Sequence, residues 1–245
     1  MAGKGEGKGE NVAKLANRIA AIKYTLFCFN IVSWIIGAGL FAFTIYIRAE
    51  PGFDEWVALL DIYQYYIGVY ILIGTGALVM IFSFLGCCSA LMEHSTALYA
   101  FIGTQVFLFL ATVVGSAIIL DFSTMNSSIQ PLIRQTMLRF IMTSEHPHSS
   151  AALKLIQESI GCCGADGPND YMVLRQPLPL ECRDTVTGNA FFHGCVDELT
   201  WFLEDKSMWA AVMAMVLSAI HTANVVLGIV LVQALKREEE AMYRR

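Results

Sequence analysis

Residues 159–164 read Ser159-Ile160-Gly161-Cys162-Cys163-Gly164, two adjacent cysteines bracketed by glycine. Neighbouring side chains leave the backbone in different directions, so a bond between the two is strained and each thiol seeks a distant partner. What those partners are for depends on the compartment the segment faces. The rest of the chain decides that.

Over 245 residues the chain is 56% hydrophobic and 15% charged, with a mean hydropathy of +0.56, well outside the composition of an ordinary soluble domain. Crossing a hydrocarbon layer about 30 Å thick takes roughly 20 apolar helical residues. Four windows qualify, 24–47, 66–87, 98–120 and 208–232, and none carries Asp, Glu, Lys or Arg in its interior. The net charge of −5 is local in origin, since residues 121–207 hold 11 acidic and 6 basic side chains. That balance says little about nucleic acid, and no nucleic-acid partner is expected.

Lysine and arginine in short flanking segments set orientation. The first 23 residues hold Lys4, Lys8, Lys14, Arg18 and Lys23, the loop 48–65 has one basic residue, and the final tail has Lys236, Arg237, Arg244 and Arg245. Both termini are therefore expected in the cytosol, with the first span acting as an uncleaved signal anchor. The expected organisation is a cytosolic tail (1–23), a first span (24–47), a small outer loop (48–65), a second span (66–87), a cytosolic loop (88–97), a third span (98–120), a large outer loop (121–207), a fourth span (208–232) and a cytosolic tail (233–245). The fold class is all-α: a four-helix transmembrane bundle carrying a mainly helical large loop.

Within the large loop, Ile129, Leu132, Ile133, Met137 and Phe140 recur at mostly helical spacing, which predicts that the third span continues outward to about Met142, with Pro131 as a site for a kink. A second helix is expected over 149–160, with a serine near its start as N-cap and Gly161 near its end. The stretch 164–194 holds Pro168, Pro177 and Pro179 among Gly, Asn and Asp and reads as irregular and exposed. A last helix, 195–205, leads into the fourth span. The opening ten residues, Gly, Lys and Glu after Ala2 and Met1, have nothing to bury and are expected to be disordered.

Of seven cysteines, Cys162, Cys163, Cys182 and Cys195 fall in the outer loop, where disulfides persist. Four cysteines allow three connectivities, and excluding the neighbour pair leaves Cys162 and Cys163 each holding one of the other two. Zinc prefers ligand pairs two to four residues apart, a spacing this set lacks, so no metal is expected.

The run Gln157-Glu158-Ser159-Ile160-Gly161-Cys162-Cys163-Gly164, then Asp170-Tyr171, then Pro179-Leu180-Glu181-Cys182, then Cys195 ahead of the last span, resembles the large extracellular loop of a tetraspanin. Phe29-Asn30, Trp34 and Gly37 in the first span and Gly86-Cys87-Cys88 closing the second extend the resemblance to nearly the whole chain. It implies bonds from Cys162 to Cys195 and from Cys163 to Cys182, each contributing about 3 kcal/mol by loop entropy. It also implies acylation at Cys87 and Cys88 and at the deeper Cys28, for which a buried thiol is the plain alternative, and a sterol or other lipid in a cavity lined by Asn30.

Asn30, Gln105, His221 and Asn224 are the strong polar side chains of the spans. Many tetraspanins carry acidic residues or glutamine in the third and fourth spans; here the fourth-span position is Asn224, and Gln105 lies at a different depth in the third. His221, one turn from Asn224, reads as a hydrogen-bonded packing residue. Asn126 heads the sequon Asn126-Ser127-Ser128, a candidate glycosylation site close to the membrane.

The function these readings imply is that of a non-enzymatic scaffold at the plasma membrane. It would bind other integral membrane proteins, tetraspanins among them, in adhesion or epithelial junctions, and need no cofactor beyond lipid. The alternative is a small-solute or ion pathway through the bundle, but pathways are lined by ionisable residues, which the spans lack apart from His221. A claudin-like strand former would carry its cysteines in the loop 48–65, which has none. An enzyme would need a nucleophile with a paired base, and His146, His148 and His193 have no identifiable partner of that kind.

Overall fold

The computed structural model describes residues 3–49, 53–60, 62–92, 95–124, 127, 129–184 and 187–243. Its helices are α1 (Gly3–Arg48), α2 (Phe53–Leu60), α3 (Tyr63–Met92), α4 (Ser95–Asp121), α5 (Ile129–Met142), α6 (Pro147–Ile160), α7 (Asn169–Val173) and α8 (Cys195–Tyr243), with a 3-10 turn at Leu180–Cys182. The described residues contain no strand longer than an isolated bridge between Arg183 and Ala190. Four helical segments are long and apolar enough to cross a membrane: Ala16–Arg48, Tyr63–Cys88, Thr96–Asp121 and Cys195–Glu240. The chain is a multi-pass membrane protein with an all-α fold.

Residue contacts divide it into two compact units, 1–42 with 71–114 and 213–245, and 43–70 with 115–212. In the first, Ile19, Leu26, Leu98, Phe101, Leu231 and Val232 form a buried cluster, while Trp34, Ile35, Phe84, Phe107, Met215 and Val226 stay exposed. Helices apolar on inward and outward faces alike belong in lipid. Small residues set the spacing: a Cβ on Gly37 would stand 2.6 Å from Val79 Cγ1, and one on Gly76 would stand 3.1 Å from Phe41.

In the second unit α5 packs against α6, and α2 packs against both. Val57 and Leu60 of α2, Ile133, Met137 and Ile141 of α5, and Leu153 and Ile156 of α6 are buried, as are Leu199 and Leu203 of α8. The loop between the first two spans is thus partly helical, and α2 packs on the helices of the large loop. Arg48 Nε donates to the Tyr70 hydroxyl (3.0 Å) and lies over the Tyr66 ring.

Several expectations need correction. The third span does not run on to Met142: α4 ends at Asp121, turns through Phe122, Ser123 and Thr124, and α5 begins at Ile129. The backbone closes that turn itself, with the Ser123 and Thr124 amides both bonded to Leu120 O, and Pro131 falls in the first turn of α5, where its missing N–H costs nothing. The loop's second helix starts at Pro147 rather than Ser149, with His146 at the N-cap and no side-chain cap. Proline is pre-set for that first position, and Ser149 is buried, its hydroxyl 2.9 Å from that of Thr143. The described part of 164–194 is largely irregular and exposed, as expected, with the short helix α7, the 3-10 turn and the buried Tyr171 added to that reading. The backbone of α1 is helical from Gly3; composition does not favour a helix there, and the extension continues a helix already nucleated downstream.

Candidate functional site

The large loop is organised by the turn that follows α6. Gly161, at φ 77°, ends that helix in the left-handed conformation, its N–H bonded to Gln157 O (2.9 Å). Cys162 is then bonded to Cys195 and Cys163 to Cys182, closing 33- and 19-residue separations. The turn also caps α8: Cys195 N–H donates to Gly164 O (3.1 Å) and Val196 N–H to Ala165 O (3.0 Å), satisfying two amides that a helix start otherwise leaves open. The adjacent cysteines therefore serve two ties, one to the start of α8 and one to the excursion between Gly164 and Gly194.

Polar contacts fix that excursion from within. Asp170 Oδ2 accepts from the Ala165 and Asp166 amides, both at 2.8 Å. Arg134 of α5 pairs with Asp166 Oδ1 through Nε (2.8 Å) and a terminal nitrogen (2.7 Å). Gln157 Nε2 donates to the Tyr171 hydroxyl (2.7 Å) in a buried contact, and burial pushes the Tyr171 phenol up to about 12, so it stays protonated at neutral pH. Phe191 N–H donates to Cys182 O (2.8 Å), beside the Arg183–Ala190 bridge.

Outward, the same excursion presents apolar side chains to solvent. Leu180 is 81% exposed and Phe192 82%, joined by Met172 and Val173 of α7. Large apolar groups on a backbone held by two disulfides are suited to docking rather than to bond chemistry. Among the described residues no group of three His, Cys, Asp or Glu could hold a metal ion.

Within the first unit, His221 Nδ1 lies 2.6 Å from Gln105 Oε1, and Asn224 Nδ2 donates weakly to the same oxygen (3.4 Å). The three residues are buried, so Gln105 shares a layer with the fourth-span pair. Asn30 is also buried, with Nδ2 bonded to Leu26 O (2.8 Å). Cys28 and Cys88 are exposed and Cys87 is half-buried, all three as free thiols. Asn126 lies outside the described residues.

The sequence profile of the tetraspanin family matches residues 22–234. The chain belongs to that family. It is 56% identical over 243 residues to Tetraspanin-2A of Drosophila melanogaster, covering 98% of this chain and all of that protein. The CD81 antigen of Bos taurus is 27% identical over 86% of this chain and 92% of its own length. The human CD9 antigen is 26% identical over 89% and 95%.

Sequence reasoning about this tetraspanin singled out Gln157, Asp170 and Tyr171 as parts of a motif without assigning their contacts. Their spacing was legible, but the fold alone brings the amide to the phenol and the carboxylate to the turn. The Arg134–Asp166 pair, 32 residues apart, left no signal in the sequence.

Proposed function

We propose that this tetraspanin is a non-enzymatic scaffold at the plasma membrane, whose large loop binds other integral membrane proteins, tetraspanins included, and gathers them laterally. The observation that carries the reading is the set of exposed apolar side chains, Met172, Val173, Leu180 and Phe192, on a segment tied down by both disulfides. A surface that is already ordered loses little conformational entropy on binding. The Lys and Arg distribution supports cytosolic termini. Cys28, Cys87 and Cys88 would carry acyl chains that concentrate the complex, and exposure of Cys28 and Cys88 supports that assignment. A sterol or other lipid would sit in the bundle beside Asn30, and cell adhesion or junction assembly is the setting we assign.

The test is proximity labelling from the large loop in intact cells, followed by co-purification in mild detergent. Wild type is compared with a chain whose residues 165–194 are replaced by a neutral linker that retains Cys182. Specific membrane proteins recovered by wild type and lost on replacement support the scaffold reading. An unchanged set of partners removes the large loop as the recognition surface.

A further inference from the structure

Along α1, Ala16, Ala20, Lys23, Tyr24 and Phe27 recur on one helical face, and with Glu238 of α8 they line a cavity of about 510 Å³. That volume lies within the roughly 300–1,000 Å³ of small-ligand clefts. Its back wall is fixed, because Ile19 lines the same cavity and belongs to the buried cluster that holds Leu231 and Val232 of α8. The small side chains of Ala16 and Ala20 leave the space open, and Tyr24 stands exposed at its edge. Lys23 directly precedes the apolar window 24–47, and Glu238 follows Lys236 and Arg237 beyond the window 208–232. The cavity therefore sits where the first and fourth spans leave the hydrocarbon.

The lining is graded along the membrane normal. Phe27 and Tyr24 lie on the span side, Lys23 is at the boundary, and Glu238 stands further out. Lys23 and Glu238 are both half-buried, and Glu238 has no ion-pair partner among the described residues. A carboxylate partly withdrawn from water without a countercharge gains from a cation that donates hydrogen bonds to it. A phospholipid presents acyl chains, phosphate and headgroup in that same order. With its chains along Tyr24 and Phe27 and its phosphate at Lys23, the outermost group must supply the cation for Glu238. Choline is a cation without an N–H, serine adds a carboxylate beside Glu238, and glycerol or inositol brings no positive charge. We propose that this cavity binds the headgroup of an ethanolamine phospholipid, its phosphate on Lys23 and its ammonium on Glu238. The site is independent of the scaffold reading. It is also separate from the lipid assigned beside Asn30, whose side chain is buried against α3, where a Cβ on Gly86 would stand 2.6 Å from Oδ1.

The experiment is native mass spectrometry of the full chain, purified in detergent and titrated with phospholipids of identical acyl chains that differ only in headgroup: ethanolamine, choline, serine or glycerol. Wild type should bind the ethanolamine lipid roughly tenfold more tightly than the choline lipid, the scale of one charge-assisted hydrogen bond. Glu238→Gln should abolish that preference, and Glu239→Gln, at an exposed neighbour, should retain it. Lys23→Gln should weaken the ethanolamine and choline lipids alike. Helicity and both disulfides check that each variant is folded. If a charge variant does not fold, Ala20→Leu fills the cavity with every charge in place and should weaken the ethanolamine lipid. Equal binding of the ethanolamine and choline lipids by wild type, tightest binding of the serine or glycerol lipid, or an ethanolamine preference that survives Glu238→Gln overturns the proposal.

Discussion

Gln157 and Tyr171 meet side chain to side chain, the amide Nε2 donating to the phenol oxygen across 2.7 Å with both residues buried. The bond joins α6 to α7, which lies within the segment that both disulfides tie down. Gln157 Oε1 already lacks a partner, so removing the phenol would leave neither end of the buried amide satisfied. Tyr171→Phe should destabilise the chain by about 1–3 kcal/mol, whereas Tyr171→Phe combined with Gln157→Leu should recover much of that loss. Thermal unfolding of the purified full chain in detergent measures both, and additive losses would mean that the bond contributes nothing.

The same phenol makes stability depend on alkaline pH. Burial raises Tyr171 from 10.0 to about 12, so the folded state keeps a proton that the unfolded state releases first. Its contribution is complete below pH 10 and is lost as pH rises towards 12. Wild type should lose stability across that window more steeply than Tyr171→Phe. Unfolding midpoints taken at stepped pH, with phenolate absorbance followed in parallel, check the expectation.

The cystine turn depends on two glycines for different reasons. Gly164 adopts φ 68°, and a Cβ there would collide with Gly167 O; a Cβ on Gly194 would collide with Ala165 O. Gly188 is also left-handed, at φ 71°, yet nothing lies within 4 Å of where its Cβ would go. Gly164→Ala and Gly194→Ala should therefore disrupt disulfide pairing, seen as free-thiol labelling of the large loop. Gly188→Ala should pair normally and cost about 1 kcal/mol.

Hydropathy made the four spans legible because lipid demands length and apolarity whatever the neighbours do. The pairing of Cys162 with Cys195 and of Cys163 with Cys182 was legible only through resemblance, since spacing alone left two connectivities. The break between Asp121 and Ile129 escapes the apolar period because that of α5 is genuinely helical; the contrary signal in the sequence is Pro131, a proline whose place is a first turn. Contacts such as Arg134 with Asp166 or Gln105 with His221 join residues far apart in sequence, and no local pattern encodes them.

Close helix packing in the first unit separates its glycines into two kinds. Gly37 has no room for a methyl group against Val79, while Gly74 and Gly103 have nothing within 4 Å. Overpacking predicts that Gly37→Ala costs about 1–3 kcal/mol. Gly74→Ala and Gly103→Ala should be neutral or stabilising by up to about 1 kcal/mol. Midpoints of thermal unfolding in a single detergent decide it, and equal effects at all three positions would contradict the packing argument.

If the large loop binds through its apolar side chains, the most exposed of them should matter most. Burying a large apolar side chain contributes about 1.5–3 kcal/mol, so Leu180→Ala or Phe192→Ala should each weaken partner binding roughly ten- to a hundredfold. Met142 is also exposed but lies at the end of α5, outside the disulfide-tied segment, and Met142→Ala should leave affinity unchanged. Partner titration onto the full chain in nanodiscs reads all three variants. A loss confined to Leu180 and Phe192, with both disulfides retained, places recognition on the excursion; an equal loss at Met142 moves it to the helical base.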